Sequence, residues 1–498
     1  MNLLTITVFA PIILGAILLL IKEKSISRKA MCIYTAASLC LELVLIFLCI
    51  FTCGQSVYEF FRLNDTLVIY FGLDKIGQIF AGIMGIVWTL AGFFSFEYMK
   101  HEEHNKRYFG TYIIVLGILM GLCFAGNLVT YYAFYEFMTI GSFAMVLHNQ
   151  SREAIMASLK YLFYSFAGAY MVLFGLYFVH QYATDPAMTF TAEGIIDAAT
   201  LSGGNSLPTV LLVSMLLMIL GFSVKAGMFP MHGWLPTAHP VAPAPASAVL
   251  SGIIVKGGVL GIIRVIYFVF GPQNFSGTYV QTTVLILSLI TVFMGSMLAY
   301  REKVLKKRLA YSTVSQVSYI LFGIFMINDT SMQGSLLHVV AHALIKSTLF
   351  LCAGAIIYIT GCTKVSQLRG IGKKMPVMLW CFTFVSLGLI GIPPMGGFVS
   401  KWYLCMGALS VKMPVFSILG PVILLVSALL TAGYLLPITI NGFLPGNTFE
   451  EEAAAAEEDD ENFHAYKVAK EPKLIMLIPI IIMTVLSIVI GLFPEVLL

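Results

Sequence analysis

Seven of the ionisable side chains inside long apolar runs of this sequence set the chemistry to be explained. Glu136 is the one charge in TYYAFYEFMTIGSF, residues 130–143. Lys225 lies in LLMILGFSVKAGMFPMHGWLPTAHP and Lys256 in APASAVLSGIIVKGGVLGIIRV. His338, His342 and Lys346 follow at intervals of four in LLHVVAHALIKSTLFLCAGA, so a helix would set them on one face. Lys401 stands near the end of LGLIGIPPMGGFVSKWYL. Charges at membrane depth face a bundle interior or water, and they mark ion paths. A carboxylate that approaches or leaves a buried lysine changes that lysine's hold on a proton, and histidine titrates near neutrality. These residue types suit stepwise proton transfer.

Other chemistries fit less well. The His338–His342 pair could hold zinc, but the glutamate of an HExxH motif is missing and no third ligand stands nearby, so no metal site is expected. Each histidine could instead hydrogen-bond between helices. Nine cysteines lie in or beside apolar segments, and only Cys49 and Cys53 are close together. They read as small buried hydrophobes, and no redox centre or cofactor is expected in this chain. No nucleophile–base signature stands out.

The elements that hold these residues follow from composition. Of 498 residues, 59% are hydrophobic and 11% charged; the mean hydropathy is +0.91. Soluble domains carry about 25% charged residues, so this is the composition of a polytopic membrane protein. No basic domain or fingerprint points to nucleic acid. Met1–Ile21 lacks a basic start and a small-residue cleavage site, and reads as a retained first span. A crossing takes about 20 apolar residues. Fourteen stretches qualify: 3–21, 30–53, 74–96, 108–125, 128–148, 156–180, 209–230, 244–270, 279–300, 307–326, 332–360, 376–411, 415–441 and 473–494. The expected fold is all-α, with about fourteen transmembrane helices.

Loop charge orients the spans. Twenty Lys and Arg residues fall in one alternate set of loops, including Lys22, Lys24, Arg28 and Lys29 after the first span and Arg301, Lys303, Lys306, Lys307 and Arg308 after the ninth. Only Arg62, Lys75 and Lys412 fall in the other set, and the 181–208 loop has Asp185, Glu193 and Asp197 with no base. Basic loops stay cytoplasmic, so both termini are expected on the outer side of a cytoplasmic (inner) membrane. Lys160 and Arg264 sit near span ends, within snorkelling reach of the interface. The segment 449–472 is acidic, then basic, and reads as a solvated loop before the last span. Pro230 after Lys225, and Pro393 and Pro394 before Lys401, should break their helices. Paired broken helices in two halves point to an inverted repeat with the ion path at the breaks. Small residues Gly252, Gly257 and Gly258 around Lys256 permit close helix approach.

These motifs resemble one family. KAGMFPMHGWLPTAHPVAPAPASAVLSGIIVK, KKRLAYSTVSQVSYILFG, HVVAHALIKSTLFLCAGAIIY and GIPPMGGFVSKWYL stand in the order seen in antiporter-like membrane subunits. Such subunits occur in respiratory complex I (L, M and N types), Mrp cation/proton antiporters (A and D types) and energy-converting membrane-bound hydrogenases. The resemblance covers roughly residues 70–440 and is nearest in character to the Mrp D type. It implies helices 4–8 and 9–13 as inverted five-helix repeats. Residues 1–107 would hold three leading helices, 108–270 and 271–441 the repeats, and 442–498 the acidic loop and last helix. It implies a proton relay of Glu136, Lys225, Lys256, His338, His342, Lys346 and Lys401, with the breaks at Pro230, Pro393 and Pro394. It also implies partner membrane subunits in a hetero-oligomeric complex, with H+, and in some branches Na+, as the transported ion. Glu42, deep in the second span, matches no motif of the family, and its role is open. Two other readings share this fold: a stand-alone carrier for a cation or small solute, and a spacer that has lost transport.

Overall fold

The computed structural model describes residues 2–22, 25–54, 57–196, 207–456, 460 and 463–496. Lys24, Asp197 and the acidic residues Glu457, Glu458, Asp459 and Glu461 lie outside the described residues. In chain order the helices are α1 (Leu3–Leu20), α2 (Arg28–Thr52), α3 (Lys75–Tyr98), α4 (Asn105–Cys123), α5 (Leu128–Val146), α6 (Arg152–Tyr182), α7 (Thr209–Ala226), α8 (Leu235–Val241), α9 (Ala244–Phe270), α10 (Tyr279–Arg301), α11 (Leu305–Phe325), α12 (Asp329–Thr360), α13 (Pro376–Ile390), α14 (Gly396–Ser410), α15 (Pro414–Phe443), α16 (Phe449–Ala455), α17 (His464–Val468) and α18 (Leu474–Leu492). Among the described residues, eleven are long and apolar enough to cross a membrane, or twelve if α13 and the 3₁₀ turns before it form one bent span. α5 and α11 are also helices; they carry more polar residues, and α11 puts Ser312, Thr313, Ser315, Gln316 and Ser318 inside the protein.

Both predicted breaks are present. α7 stops at Ala226, with Gly227 left-handed at its end, and helix resumes at Leu235. α13 stops at Ile390, Gly391 is left-handed, and α14 starts at Gly396. One element goes beyond helices. β1 (Tyr58–Arg62) pairs antiparallel with β2 (Val68–Phe71), with an irregularity between Glu59 and Phe61. The Asn64 carboxamide accepts from Thr66 N at 3.0 Å and Leu67 N at 2.6 Å, which closes the turn.

The chain divides into two compact units. Residues 1–89, 104–234 and 253–288 form the first. In it α1 packs on α4, α6 on α7 and α7 on the second half of α9. Arg264 is here, and it does not snorkel. It is 2% exposed, its guanidinium grips Asp74 through Nη1 and Nη2, and the rings of Phe190 and Phe268 cover it. A carboxylate that matches the guanidinium fork removes the need to reach water.

Residues 90–103, 235–252 and 289–498 form the second unit, built round α12, which is almost wholly buried. Lys306 belongs to its interior rather than to a loop: it is 6% exposed and donates to the Ala242 carbonyl at 2.9 Å. The helix phase of α11 turns this member of the basic cluster inward. The segment from 449 also departs from the solvated expectation. Phe449 is fully buried against Phe463 and Tyr466, and Glu450 accepts from Lys373 at 2.6 Å. Glu97 is buried near the end of α3, where Lys100 (2.5 Å) and Lys473 (2.8 Å) hold it.

Candidate functional site

The first unit brings Lys225 and Glu136 near one another without joining them. Lys225, in the last turn of α7, is 0% exposed. Its ammonium donates to Thr139 Oγ1 at 3.0 Å, Tyr161 Oη at 2.6 Å and Ser165 Oγ at 3.0 Å. An ammonium has three donors, and neutral hydroxyls of α5 and α6 take all of them. The Tyr161 ring lies 4.4 Å below the nitrogen, and Tyr161 Oη meets Ser142 Oγ at 2.5 Å.

Glu136 sits one turn before Thr139 on the same helix. It is half-buried, and its Oε1 is buried with no hydrogen-bond partner. Among the described residues Glu136 and Lys225 form no ion pair, although they lie within electrostatic range. This conformation has the carboxylate away from the lysine, one of the two positions that an approaching and leaving carboxylate would take. Hydroxyls fill the ammonium's coordination, and the carboxylate waits one helical turn away.

The break is held in shape by Trp234, whose indole N–H donates to the Val224 carbonyl at 2.8 Å and whose ring packs 4.7 Å from Tyr161. Gly258 allows the next lysine helix to come close. A Cβ there would lie 2.5 Å from the Phe222 carbonyl and 3.1 Å from Lys225 Cβ. Lys256, two residues earlier on α9, is fully buried, and a π-helical turn over Leu250–Ile254 ends just before it. Such turns gather at functional positions.

The second unit brings together His338, Ser400, Tyr319 and Lys401. His338 Nδ1 meets Ser400 Oγ at 2.8 Å, and its ring stacks on Tyr319 at 5.7 Å. Lys401 lies 5.1 Å over the same tyrosine ring. Its ammonium donates to the carbonyls of Leu389 and, at 3.0 Å, Ile390. These are the free carbonyls at the end of α13, which carry the helix's partial negative charge. The break thus forms a cation seat. Gly397 is required beside it, because a Cβ there would run into the Gly388 carbonyl. His342 follows His338 one turn on, with rings 6.0 Å apart, and Lys346 donates to the Leu309 carbonyl at 3.1 Å. All three are buried.

Sequence reasoning missed the hydroxyls. Tyr161, Thr139, Ser165 and Ser142 carry no spacing pattern that marks them. His239 was also missed: it is fully buried, its ring stacks 4.7 Å from Phe350, and neither ring nitrogen has a hydrogen-bond partner. Its place in the PTAHP stretch beside the first break was the available clue. Among the described residues no group of three His, Cys, Asp or Glu could hold a metal ion.

Long apolar helices, two of them broken beside buried lysines, define a multi-pass membrane protein with buried charges in each of its two units. Residues 125–431 match the NADH:quinone oxidoreductase/Mrp antiporter transmembrane family, and the chain belongs to that family. It is 33% identical over 402 residues to the N-type NADH-quinone oxidoreductase subunit of Desulforudis audaxviator, covering 80% of this chain and 76% of that one. It is 26% identical over 498 residues to the D-type Na(+)/H(+) antiporter subunit of Alkalihalophilus pseudofirmus, covering 99% and 94%. The fold matches a chain of the Mrp complex from Dietzia sp. DQ12-45-1b with a TM-score of 0.82 at 20% identity, over 100% of this chain and 96% of that one.

Proposed function

We propose that this chain is a proton-translocating membrane subunit of a multi-subunit complex, with Na+ as the counter-ion where the complex is an antiporter. One observation carries the reading. Lys225 is fully buried on neutral hydroxyls while Glu136, a carboxylate with an unused buried oxygen, stands one helical turn from one of them. The lysine has two alternative sets of partners, and exchange between them would load and release a proton. The relatives named as an antiporter subunit and a quinone oxidoreductase subunit support the same class of task. The proposed order of action is Glu136, Lys225, Lys256, His338, His342, Lys346 and Lys401. A proton moved against 100 mV costs about 2.3 kcal/mol, which is of the order that a change of buried partners supplies. The energy for net transport comes from partner subunits or an ion gradient.

The proposed setting is a cytoplasmic membrane with both termini outside, supported by the uneven loop charge. The test is proton movement by the whole complex in sealed vesicles. A Lys225→Ala/Lys401→Ala double variant that assembles should lose it, and undiminished transport would rule out the relay.

A further inference from the structure

We propose that Glu42 is a proton-binding site of its own, placed between α1 and α2 near mid-membrane, on helices that carry none of the relay residues. Glu42 is 1% exposed, and both carboxyl oxygens are buried without a hydrogen-bond partner. Two cross-links fix its level along the α1–α2 pair. Thr7 Oγ1 meets Cys49 Sγ at 3.2 Å, and Tyr34 Oη donates to the Leu14 carbonyl at 2.9 Å. Glu42 falls between these links, about 10–12 Å of helix from each. It is therefore level with the middle of α1, around Phe9, Ala10 and Pro11.

Among the described residues no neighbouring charge meets it at that level. α1 has no acid or base from Leu3 to Leu20. α3, which meets α2 where Gly85 lies against Leu43 and Ile46, has charges only at Lys75 and Glu97, near its ends. α4 has them only at Lys106 and Arg107 in its first turn, and Lys106 is spent on the Leu19 and Ile21 carbonyls. On α2 itself Arg28 and Lys29 open the helix, more than three turns away. The nearer titratable groups are engaged elsewhere: Cys49 with Thr7, Tyr34 with Leu14, and Tyr112 of α4 with the Trp88 carbonyl. The Cys40 thiol is exposed, outside the buried stripe of α2.

An ionised carboxylate without a donor in such a place costs several kcal/mol. Something must neutralise it, and this chain's own helices cover it against lipid and partner chains alike. A metal cation such as sodium needs several oxygen ligands, and Phe9, Ala10 and Pro11 offer no side-chain oxygen. A proton needs none. The occupant of this site is a proton.

The test uses dicyclohexylcarbodiimide on the whole complex in native membranes at neutral pH. The reagent reacts with a protonated carboxyl: the acid oxygen bonds to the carbodiimide carbon, and the acid proton passes to its nitrogen. Peptide mass spectrometry should find the adduct at Glu42 and not at exposed Glu153 or Glu450, at a rate that added NaCl leaves unchanged. Infrared spectra should show a protonated-carboxyl C=O band that Glu42→Gln removes. The amide is a neutral isostere of the acid, so this variant should assemble. If it does not, Glu42→Asp should keep both the adduct and the band. Absence of the band in the native complex overturns the proposal, whether or not the reagent reaches the covered carboxyl, and so does protection by sodium.

Discussion

Replacing Tyr161 by Phe tests the site most directly. The hydroxyl of Tyr161 is the shortest of the three contacts to Lys225, at 2.6 Å, against 3.0 Å for Thr139 and Ser165. Its removal leaves one N–H of a fully buried ammonium without an acceptor, while Ser142 keeps its bond to the Met138 carbonyl. A hydrogen bond to a charged group contributes about 1.5–3 kcal/mol. The ring, and with it the packing on Trp234, stays. Glu136 Oε1 is an unused acceptor within electrostatic range of the lysine and carries a charge, so the variant should hold Lys225 on that carboxylate. If the lysine must leave Glu136 in each cycle, the added ~1.5–3 kcal/mol slows transport about 10- to 150-fold. The assay is proton uptake by vesicles holding equal amounts of assembled complex. A Glu136→Gln background supplies the control, because there is no carboxylate for the lysine to be caught on and Tyr161→Phe should add little further loss. Transport by Tyr161→Phe at the unsubstituted rate would refute the reasoning. So would an equal loss with and without Glu136, since that would make Tyr161 a packing residue.

Two further outcomes are expected. Asp74→Ala leaves the Arg264 guanidinium buried between Phe190 and Phe268 without its counter-charge, and should cost about 3–5 kcal/mol. The unfolding midpoint in detergent should drop, and Asp74→Leu/Arg264→Met should recover most of it. Lys373 holds the Glu450 carboxyl below its ordinary range through a direct hydrogen bond. A depressed carboxyl stabilises above its unfolded value and loses that effect as pH falls through its folded one, so hydrogen exchange across 449–455 should quicken on acidification below the carboxylate range and not at alkaline pH.

The helix breaks were legible because proline and glycine act on the chain locally. Pro230, Pro393 and Pro394 remove donors wherever the fold places them. The buried charges were legible because a charge inside a long apolar run stands out whatever its partner turns out to be. Partners were not. Thr139 and Ser165 look like the many Ser and Thr residues that bond their own helix, as Ser142 does with the Met138 carbonyl. Only the packing of α6 on α7 and of α5 on α6 turns three hydroxyls toward one nitrogen. Asp74 lies 190 residues from Arg264, and no local pattern links them. Lys306 was read by its basic neighbours, whereas one-residue steps of about 100° on α11 decide which of them turns inward. The hairpin was hidden by a search for apolar length, although its aromatic run and Asn-Asp turn were in plain view.

The hydroxyl setting of Lys225 has one more consequence. A hydroxyl can accept through its oxygen or, after rotation about its C–O bond, donate its hydrogen. Tyr161 and Ser142 are joined so that either can be the donor. When the nitrogen carries three hydrogens, all three oxygens face it as acceptors. When it carries two, a single turn of the Tyr161 O–H, matched by a turn of Ser142, points a hydrogen at the vacant lone pair. The cage can serve both forms by rotor motion alone, with every heavy atom left where it stands.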